Sequence, residues 1–346
     1  WLEHYLQAYS GTVIFATHDR QLLSTCADWI VELDRTGLHR YRGGYRAYVD
    51  AKIEDFVVLG RKDADQLRAL EYEHIRSRSR QPSSGRALSQ PEQGSDPFTE
   101  GLGLVPVPAA ARLGHDVISC ESLTIRAADR LLVEGLSFTV PPGAVVGVVG
   151  PNGVGKTTLL RTLAGCHAPS GGALRVGPTV SIGFTDAATF TSAETTATEI
   201  MSARGDLRFG GSALSPRSFL AAFGFRGADQ DKPLSLFSGG ERARLNLALT
   251  FSQQANFLLL DEPTNELDLT YRIALERSLE AFQGSVMVTS HDRWFLRRLA
   301  THLLVWDGST ARPGTWRWVD GGLANLADVG PFDKAGRGPH RRFPRR

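Results

Sequence analysis

Apolar and polar residues alternate along the first part of the chain in a pattern typical of short strands and helices. Residues 11–16 form an apolar, partly β-branched run that predicts a buried strand, and residues 19–29 predict a helix. Residues 30–33 predict a second strand. A strand, a helix and a strand in this order are typical of the last unit of an α/β domain.

The same pattern occurs a second time near the other end of the chain. Residues 1–34 are echoed by residues 274–307, most clearly where residues 11–20 match residues 284–293. Both copies place a histidine, an aspartate and an arginine after the apolar run. Glycine-rich and acidic motifs precede the second copy only. We therefore expect one complete domain and the end of another.

Between the two copies the pattern changes. Charged residues and leucines recur at helical spacing from residue 48 to about residue 80, which predicts a long exposed helix. Frequent prolines and glycines then forbid regular structure up to about residue 114. The expected domains are the end of a first domain (1–47), a linker (48–114), a complete second domain (115–320) and a basic flexible tail (321–346).

The second domain begins with strands predicted around residues 117–120 and 136–140. Residues 143–150 predict a strand that runs into a glycine turn, and residues 157–164 predict the helix that follows. Strands that alternate with helices predict an α/β fold with a mainly parallel, covered sheet. Nucleotides bind at the carboxyl ends of the strands in such sheets.

Composition excludes several classes of protein. A chain of 346 residues is long enough to bury one or two cores. Its three cysteines are far apart and form no CxxC pair, which argues against a disulfide framework or a zinc site. No apolar run approaches the roughly 18 residues of a membrane span, and no secretion signal is recognisable. We expect a soluble, cytoplasmic protein.

The net charge of +2 is too small to imply a partner, but the basic residues are clustered. Arg76, Arg78, Arg80 and Arg86 lie in a stretch without acids, and six basic residues follow Asp333. On charge alone, a solvated surface and contact with nucleic acid remain equally open.

A phosphate-binding loop is predicted between the strand at 143–150 and the following helix. The segment from Gly150 to Thr158 fits the pattern GxxxxGK[ST], in which glycines let backbone N–H groups surround phosphates. Lys156 reaches the outer phosphates, and the Thr157 hydroxyl holds Mg²⁺. The expected nucleotide-binding residues are Asn152, Gly153, Gly155, Lys156, Thr157 and Thr158.

A pair of adjacent carboxylates follows the apolar run 257–260. Burying Asp261 and Glu262 together without a cation would be costly, which indicates a metal ion nearby. With Mg²⁺ present, Asp261 can act on the metal and Glu262 can polarise the attacking water as general base.

A third motif begins an amphipathic helix with Ser238, Gly239, Gly240 and Glu241, and such a helix start can receive an anion. It lies after the phosphate loop and before the acidic pair. This order resembles the ATP-binding cassette superfamily, a group of P-loop NTPases with a helical subdomain. The resemblance implies that this signature motif closes over ATP held by a facing domain, in cis or in trans.

The same resemblance assigns two further residues. It implies that Asp268 belongs to the D-loop and that His291 is the switch histidine that contacts the γ-phosphate. His18 is then a switch histidine without an ATP site of its own.

Within the superfamily the chain is most similar to the ABC-F class. The features that carry this resemblance are two cassettes in one chain, a charged helical connector, no membrane segment and the run of residues 290–296. The resemblance implies an ATPase that uses ATP and Mg²⁺ and regulates translation elongation on the ribosome. The implied partners are rRNA and tRNA, with no membrane.

Three positions depart from the family pattern. Ala127 replaces the tyrosine that stacks on adenine, and Ala187 replaces the glutamine that touches Mg²⁺ and the lytic water. Phe237 replaces the leucine that leads the signature. Stacking is worth roughly 1 to 3 kcal/mol per base, so weaker ATP binding is expected unless Arg126 substitutes by a cation–π contact. These departures predict a slow reaction. Because Lys156 and Glu262 are retained, we nevertheless expect hydrolysis and not an inert domain.

Two other functions remain open. The phosphate loop, signature and acidic pair would also suit the ATPase subunit of a membrane transporter. Ala127, Ala187 and the unpaired first copy would suit a non-catalytic or truncated nucleotide-binding remnant.

Overall fold

The computed structural model describes residues 2–17, 20–34, 37–48, 51, 105, 107, 112–114, 117–184, 194–209, 212–308 and 314–322. Most of the predicted connector, the basic tail, His18 and Ala187 lie outside the described residues.

The N-terminal copy contributes two short helices and one hairpin. Its elements are α1 (Leu2–Ala8), α2 (Arg20–Cys26), β1 (Trp29–Asp34) and β2 (Gly37–Arg42). The two strands pair antiparallel. The helix and strand predicted after residue 18 are therefore present as α2 and β1.

The second domain holds the remaining named elements. Its first half comprises β3 (Ile118–Ala127), β4 (Arg130–Val140), β5 (Val145–Val149), α3 (Lys156–Leu163), β6 (Gly171–Val176), β7 (Ile182–Phe184), α4 (Ala197–Ser202), β8 (Leu207–Phe209), β9 (Ser212–Leu214) and α5 (Pro216–Ala222). Its second half comprises α6 (Gly239–Phe251), β10 (Phe257–Asp261), α7 (Leu269–Ala281), β11 (Ser285–Thr289), α8 (Arg293–Leu299), β12 (His302–Trp306) and β13 (Trp316–Asp320).

A six-stranded sheet organises this domain in the order β13-β12-β5-β11-β10-β7. Its neighbouring strands are parallel except for β12 and β13, which confirms the expected mixed, mainly parallel sheet. Alternate residues of β10 enter different cores: Leu258 packs with the helical side, and Leu259 packs with the side that holds α3. Both faces are covered, which explains why the central strands are continuous apolar runs.

Two smaller parts flank the sheet. Strands β4, β3 and β6 form an antiparallel sheet whose inner residues share the core with Leu159 and Leu160 of α3. Helices α4, α5 and α6 form the expected helical subdomain around Phe219, Phe223 and Phe251. The phosphate-loop strand β5 thus belongs to the six-stranded sheet, and α3 packs in the core that this sheet shares with the antiparallel one.

Residues 11–16 do not form the buried strand that their sequence predicts. They have no regular structure, and the side chain of Ile14 is 96% exposed. In the second copy the matching strand, β11, is paired on one edge with β10 and on the other with β5. The described residues offer no such neighbours to residues 11–16. An apolar run becomes a buried strand only where other strands take up its backbone hydrogen bonds.

The two copies also contact each other. Arg20 of α2 forms an ion pair of 3.0 Å with Glu276 of α7, and both side chains are buried. Arg298 of α8 reaches the other oxygen of the same carboxylate at 2.8 Å. The N-terminal copy is therefore docked on the helical face of the second domain by a shared buried charge.

Substitutions at matched positions of the two copies should differ in how much they lower the free energy of unfolding. Val31 of β1 is 54% exposed, whereas its counterpart Leu304 of β12 is fully buried. We expect Leu304→Ala to cost about 2 to 5 kcal/mol of unfolding free energy. Val31→Ala should cost less than about 0.5 kcal/mol. Urea denaturation of both variants measures the difference, and equal losses would contradict the exposure of β1.

Candidate functional site

The phosphate loop joins β5 to α3, as its sequence predicts. Gly155 caps α3 with φ of 109°, and a Cβ there would lie 2.9 Å from the Cβ of Leu132. Gly153 has φ of 76°. Glycine is therefore required at Gly155 for both backbone conformation and space. Thr157 and Thr158 follow in the first turn of α3.

The Lys156 side chain is turned into the loop. Its Nζ donates to the carbonyl oxygens of Gly150 at 2.8 Å and of Pro151 at 3.2 Å. Burial lowers the pKa of Lys156, and the carboxylates of Glu262 and Asp261 act in the opposite direction. The ammonium group is thus fixed inside the ring of backbone that is expected to surround phosphates.

The two residues expected to act on a metal are in direct contact. The Thr157 hydroxyl donates to Oδ2 of Asp261 at 2.6 Å. The other carboxylate oxygen, Oδ1, accepts from the Thr289 hydroxyl at 2.6 Å. Hydroxyl and carboxylate oxygens suit Mg²⁺, which is commonly held by one or two carboxylates together with substrate phosphates. The residues therefore fit a magnesium ion that arrives with a nucleotide.

Glu262 follows the end of β10 in a strained conformation, with φ of 48°. Its N–H donates to the Thr289 hydroxyl at 2.8 Å, which fixes the turn. Burial raises the pKa of Glu262, while His291 and Lys156 oppose this increase. A carboxylate with a raised pKa is suited to accept a proton, as a general base must.

His291 connects the phosphate loop to the acidic pair. Its Nε2 lies 2.8 Å from Oδ1 of Asn152, 3.3 Å from Nζ of Lys156 and 3.2 Å from Oε1 of Glu262. Its backbone N–H donates to Oε2 of Glu262 at 3.2 Å. The loop, the acidic pair and the histidine therefore meet at one place, although they are far apart in the sequence.

The signature residues lie elsewhere. Ser238 caps α6: its hydroxyl accepts from the N–H of Glu241 at 3.2 Å, and the Glu241 carboxylate accepts from the N–H of Ser238 at 2.6 Å. Ser238, Gly240 and Glu241 border a cleft with Asp268. Asp268 caps α7 through the N–H of Tyr271 at 3.0 Å. The cleft beside Thr157, Asp261 and Glu262 is a different one, and no signature residue lines it.

Two of the three departures from the family pattern lie in the described residues. Ala127 is exposed at the end of β3, where the carbonyl of the preceding Arg126 lies 3.1 Å from Nε2 of His167. Phe237 is buried and stacks on Phe225 with centroids 5.4 Å apart. Phe237 is thus a core residue, and its larger ring is accommodated by packing.

Thr289 is the site residue that sequence reasoning missed. Its hydroxyl contacts both Asp261 and the N–H of Glu262. It ends the apolar run of β11, so a polar residue at the last position of a predicted buried strand is the signal that could have found it.

The chain is similar to proteins of a known family. A profile of the ABC transporter family matches residues 133–265. The energy-dependent translational throttle protein EttA of Mycobacterium tuberculosis (strain ATCC 25618 / H37Rv) is 41% identical over 331 residues, which are 93% of this chain and 59% of that protein. EttA of Escherichia coli (strain K12) is 37% identical over 88% of this chain and 56% of that protein.

Two further comparisons concern a more distant relative and the fold. The putative ATP-binding protein YdiF of Bacillus subtilis (strain 168) is 36% identical over 88% of this chain and 49% of its own length. A bacterial Atm1-family ABC exporter with ATP bound superimposes with a TM-score of 0.52 at 20% identity, over 66% of this chain and 43% of that one. The chain spans about half to three fifths of the curated relatives that it matches.

Among the described residues, no helix has both the length and the apolar character that crossing a membrane requires.

The buried carboxylate of Glu262 gives a pH-dependent prediction. Because its pKa is raised in the folded chain, the glutamate favours folding at low pH and loses this contribution as the pH rises through the folded pKa. Glu262→Gln removes the effect. The melting temperature of the variant minus that of the wild type should therefore be larger at about pH 8 than at about pH 5.

Differential scanning calorimetry measures this difference. Glu266→Gln is the matched control, since Glu266 is an exposed glutamate four residues further along the same segment. The same pH trend in both variants would contradict the assignment to the buried carboxylate.

Proposed function

Because the chain belongs to the ATP-binding cassette family, we propose that it binds MgATP, hydrolyses it slowly and acts on the ribosome as a regulator of translation elongation. The convergence of Asn152, Lys156, Glu262 and His291 on one point carries the proposal. Each of these side chains has a distinct task in phosphoryl transfer to water.

The contacts support the following roles. Backbone N–H groups from Gly153 to Thr158 and the Lys156 ammonium bind the phosphates. Thr157 and Asp261 hold Mg²⁺, which neutralises phosphate charge. Glu262 takes the proton of the attacking water, and His291 contacts the outer phosphate while it lies against Glu262. ATP binding is expected to be weaker because Ala127 has no ring to stack on adenine. Hydrolysis is expected to be slow because Ala187 stands where the family has a glutamine that touches Mg²⁺ and the lytic water.

The signature residues of this domain serve a facing cassette. Ser238, Gly240 and Glu241 border a cleft separate from the one beside Thr157, and Gly239 lies in the same turn. This separation supports a role for the four residues in a site held by another domain. By symmetry, the site around Lys156 needs a signature from that domain. Binding of ATP would then draw the two cassettes together, and hydrolysis would release them.

Residues 1–47 are proposed as the closing part of such a first cassette. Exposed apolar side chains support this proposal. Val31 and Leu33 are 54% and 80% exposed, whereas the matching Leu304 is fully buried and Trp306 is partly buried. In the second domain those positions pack in the core that contains α3. Residues 48–114 would then connect the cassettes, residues 115–320 form the complete one, and residues 321–346 form a basic tail.

The ribosome is proposed as the partner, with contacts to rRNA and tRNA, in the cytoplasm. The relatives at 37 to 41% identity are named as translational throttle proteins, which supports this choice. The ATPase subunit of a transporter is the second candidate, because the matching family profile is that of ABC transporters. A non-catalytic remnant is the third, because Ala127 weakens the expected adenine contact.

Hydrolysis should depend on Glu262 and binding should not. We expect Glu262→Gln to lower the rate of MgATP hydrolysis about 100-fold, the usual effect of losing a general base. Its affinity for MgATP should stay within about twofold, because the phosphates are held by the loop and Lys156. Phosphate release and calorimetric titration measure the two quantities, in this chain and in a tandem protein that carries this domain.

Glu121→Gln is the control, since Glu121 lies in an exposed ion pair with Arg175 and contacts none of the site residues. Binding of MgATP without hydrolysis by the wild type, in this chain and also in the tandem protein, would favour the non-catalytic remnant.

The affinity of the chain for ribosomes should depend mainly on contacts between basic side chains and RNA phosphates. We expect the chain to co-sediment with ribosomes in MgATP and the affinity to fall steeply with salt, with a logarithmic slope of about 0.7 to 0.9 for each phosphate contacted. Replacing Arg76, Arg78, Arg80 and Arg86 with serine should reduce that slope. Co-purification with membranes instead would support the transporter subunit, and an affinity that ignores salt and these arginines would contradict RNA contact.

A further inference from the structure

A buried arginine outside the predicted motifs ties two parts of the site together. Arg272 lies near the start of α7 and is 6% exposed. Its Nη2 donates to the carbonyl oxygens of Thr264 at 3.0 Å and Leu267 at 3.3 Å. Its Nη1 donates to Oδ2 of Asp292 at 3.2 Å. One guanidinium thus joins the turn before α7 to the residue that follows His291.

The residue before His291, Ser290, contacts the same turn. The Thr264 hydroxyl lies 3.1 Å from the Ser290 hydroxyl, which in turn accepts from the N–H of Asp292 at 3.0 Å. Asp292 Oδ1 also accepts from the N–H groups of Trp294 and Phe295, so it fixes the start of α8. Both sequence neighbours of His291 are therefore fixed relative to residues 264–267.

The chemistry of this contact favours arginine over any other residue. The guanidinium is planar and presents several donors in a fixed fork, whereas the lysine ammonium is a point charge on a flexible stem. Burial lowers the pKa of Arg272, and the carboxylate of Asp292 opposes this, so the pair is mutually dependent. A buried ion pair contributes little net stability compared with well-packed apolar residues. The main contribution of this pair is then the fixed position that it gives to Asp292 relative to the turn before α7.

We propose that Arg272 is a positioning residue that sets the His291 imidazole against Glu262 and Asn152 and couples it to the turn 264–268. The proposal rests on the proposed ATPase function for its kinetic consequence. Arg272 contacts none of Asn152, Lys156 or Thr157, so nucleotide binding is left to the loop. Its loss displaces the histidine and slows hydrolysis.

The test compares two buried arginines of the second domain in the full chain. Arg272→Lys keeps the charge and removes the fork. Arg298→Lys is the matched control, because Arg298 is also buried in ion pairs, with Glu276 at 2.8 Å and Glu280 at 2.9 Å, near the end of α8 opposite to Asp292. The imidazole signals of histidine-labelled protein are followed by NMR against pH, with His291 assigned by His291→Gln.

We expect Arg272→Lys to shift the His291 signal and its titration midpoint, and Arg298→Lys to leave both unchanged at a similar loss of melting temperature. In hydrolysis, Arg272→Lys should lower kcat about 10- to 100-fold with KM within about twofold, as small misplacements of reacting groups do. Asp292→Asn, which keeps a capping oxygen but loses the charged acceptor, should reproduce the His291 shift if Arg272→Lys does not fold.

The outcomes separate this proposal from the proposed function. Absence of ATP hydrolysis both in this chain and in a tandem protein that carries this domain would sink the ATPase proposal, and the NMR comparison would still decide the role of Arg272. An unchanged His291 signal in Arg272→Lys, or the same shift in Arg298→Lys, would overturn the positioning role.

Discussion

The register of β11 between β10 and β5 is the constraint on which the site depends. Asp261 faces Thr289 across β10 and β11, and Thr289 faces Val148 across β11 and β5. This alignment allows one hydroxyl to bond to the Asp261 carboxylate and to the N–H of Glu262. A slip of one residue would turn the Thr289 side chain to the opposite face of the sheet. The acidic pair would then lose the contact that orients it.

Charge is concentrated where the sheet ends, and each charge is matched. Lys156 is held by loop carbonyls and by the field of two carboxylates, while Glu262 is held by His291. An unpaired charge in this partly buried site would be very costly, so each of these groups depends on its oppositely charged or hydrogen-bonding neighbours. The same rule governs the contact between the copies, where Glu276 is shared by Arg20 and Arg298. Buried ion pairs of this kind specify geometry more than they add stability.

The two copies show how one sequence pattern acquires two structures. Residues 285–289 form a fully buried central strand, whereas residues 11–16 remain without regular structure although they carry the same apolar pattern. The difference lies in the neighbours, because β5 and β10 flank only the second copy within the described residues. The hairpin of β1 and β2 has a counterpart in the antiparallel pair of β12 and β13, because in both cases the paired strands follow one another in the chain.

The sequence by itself determined the fold class, the phosphate loop with its strand and helix, and the acidic end of β10, because these depend on contiguous residues and local periodicity. The tertiary structure alone decided that His291 meets Asn152 and Lys156, that Thr289 orients the acidic pair, and that Arg272 secures the histidine turn. It also decided that residues 11–16 stay unpaired. These contacts join side chains that are distant in the chain, and strand order and register, which no local pattern encodes, bring them within hydrogen-bonding distance.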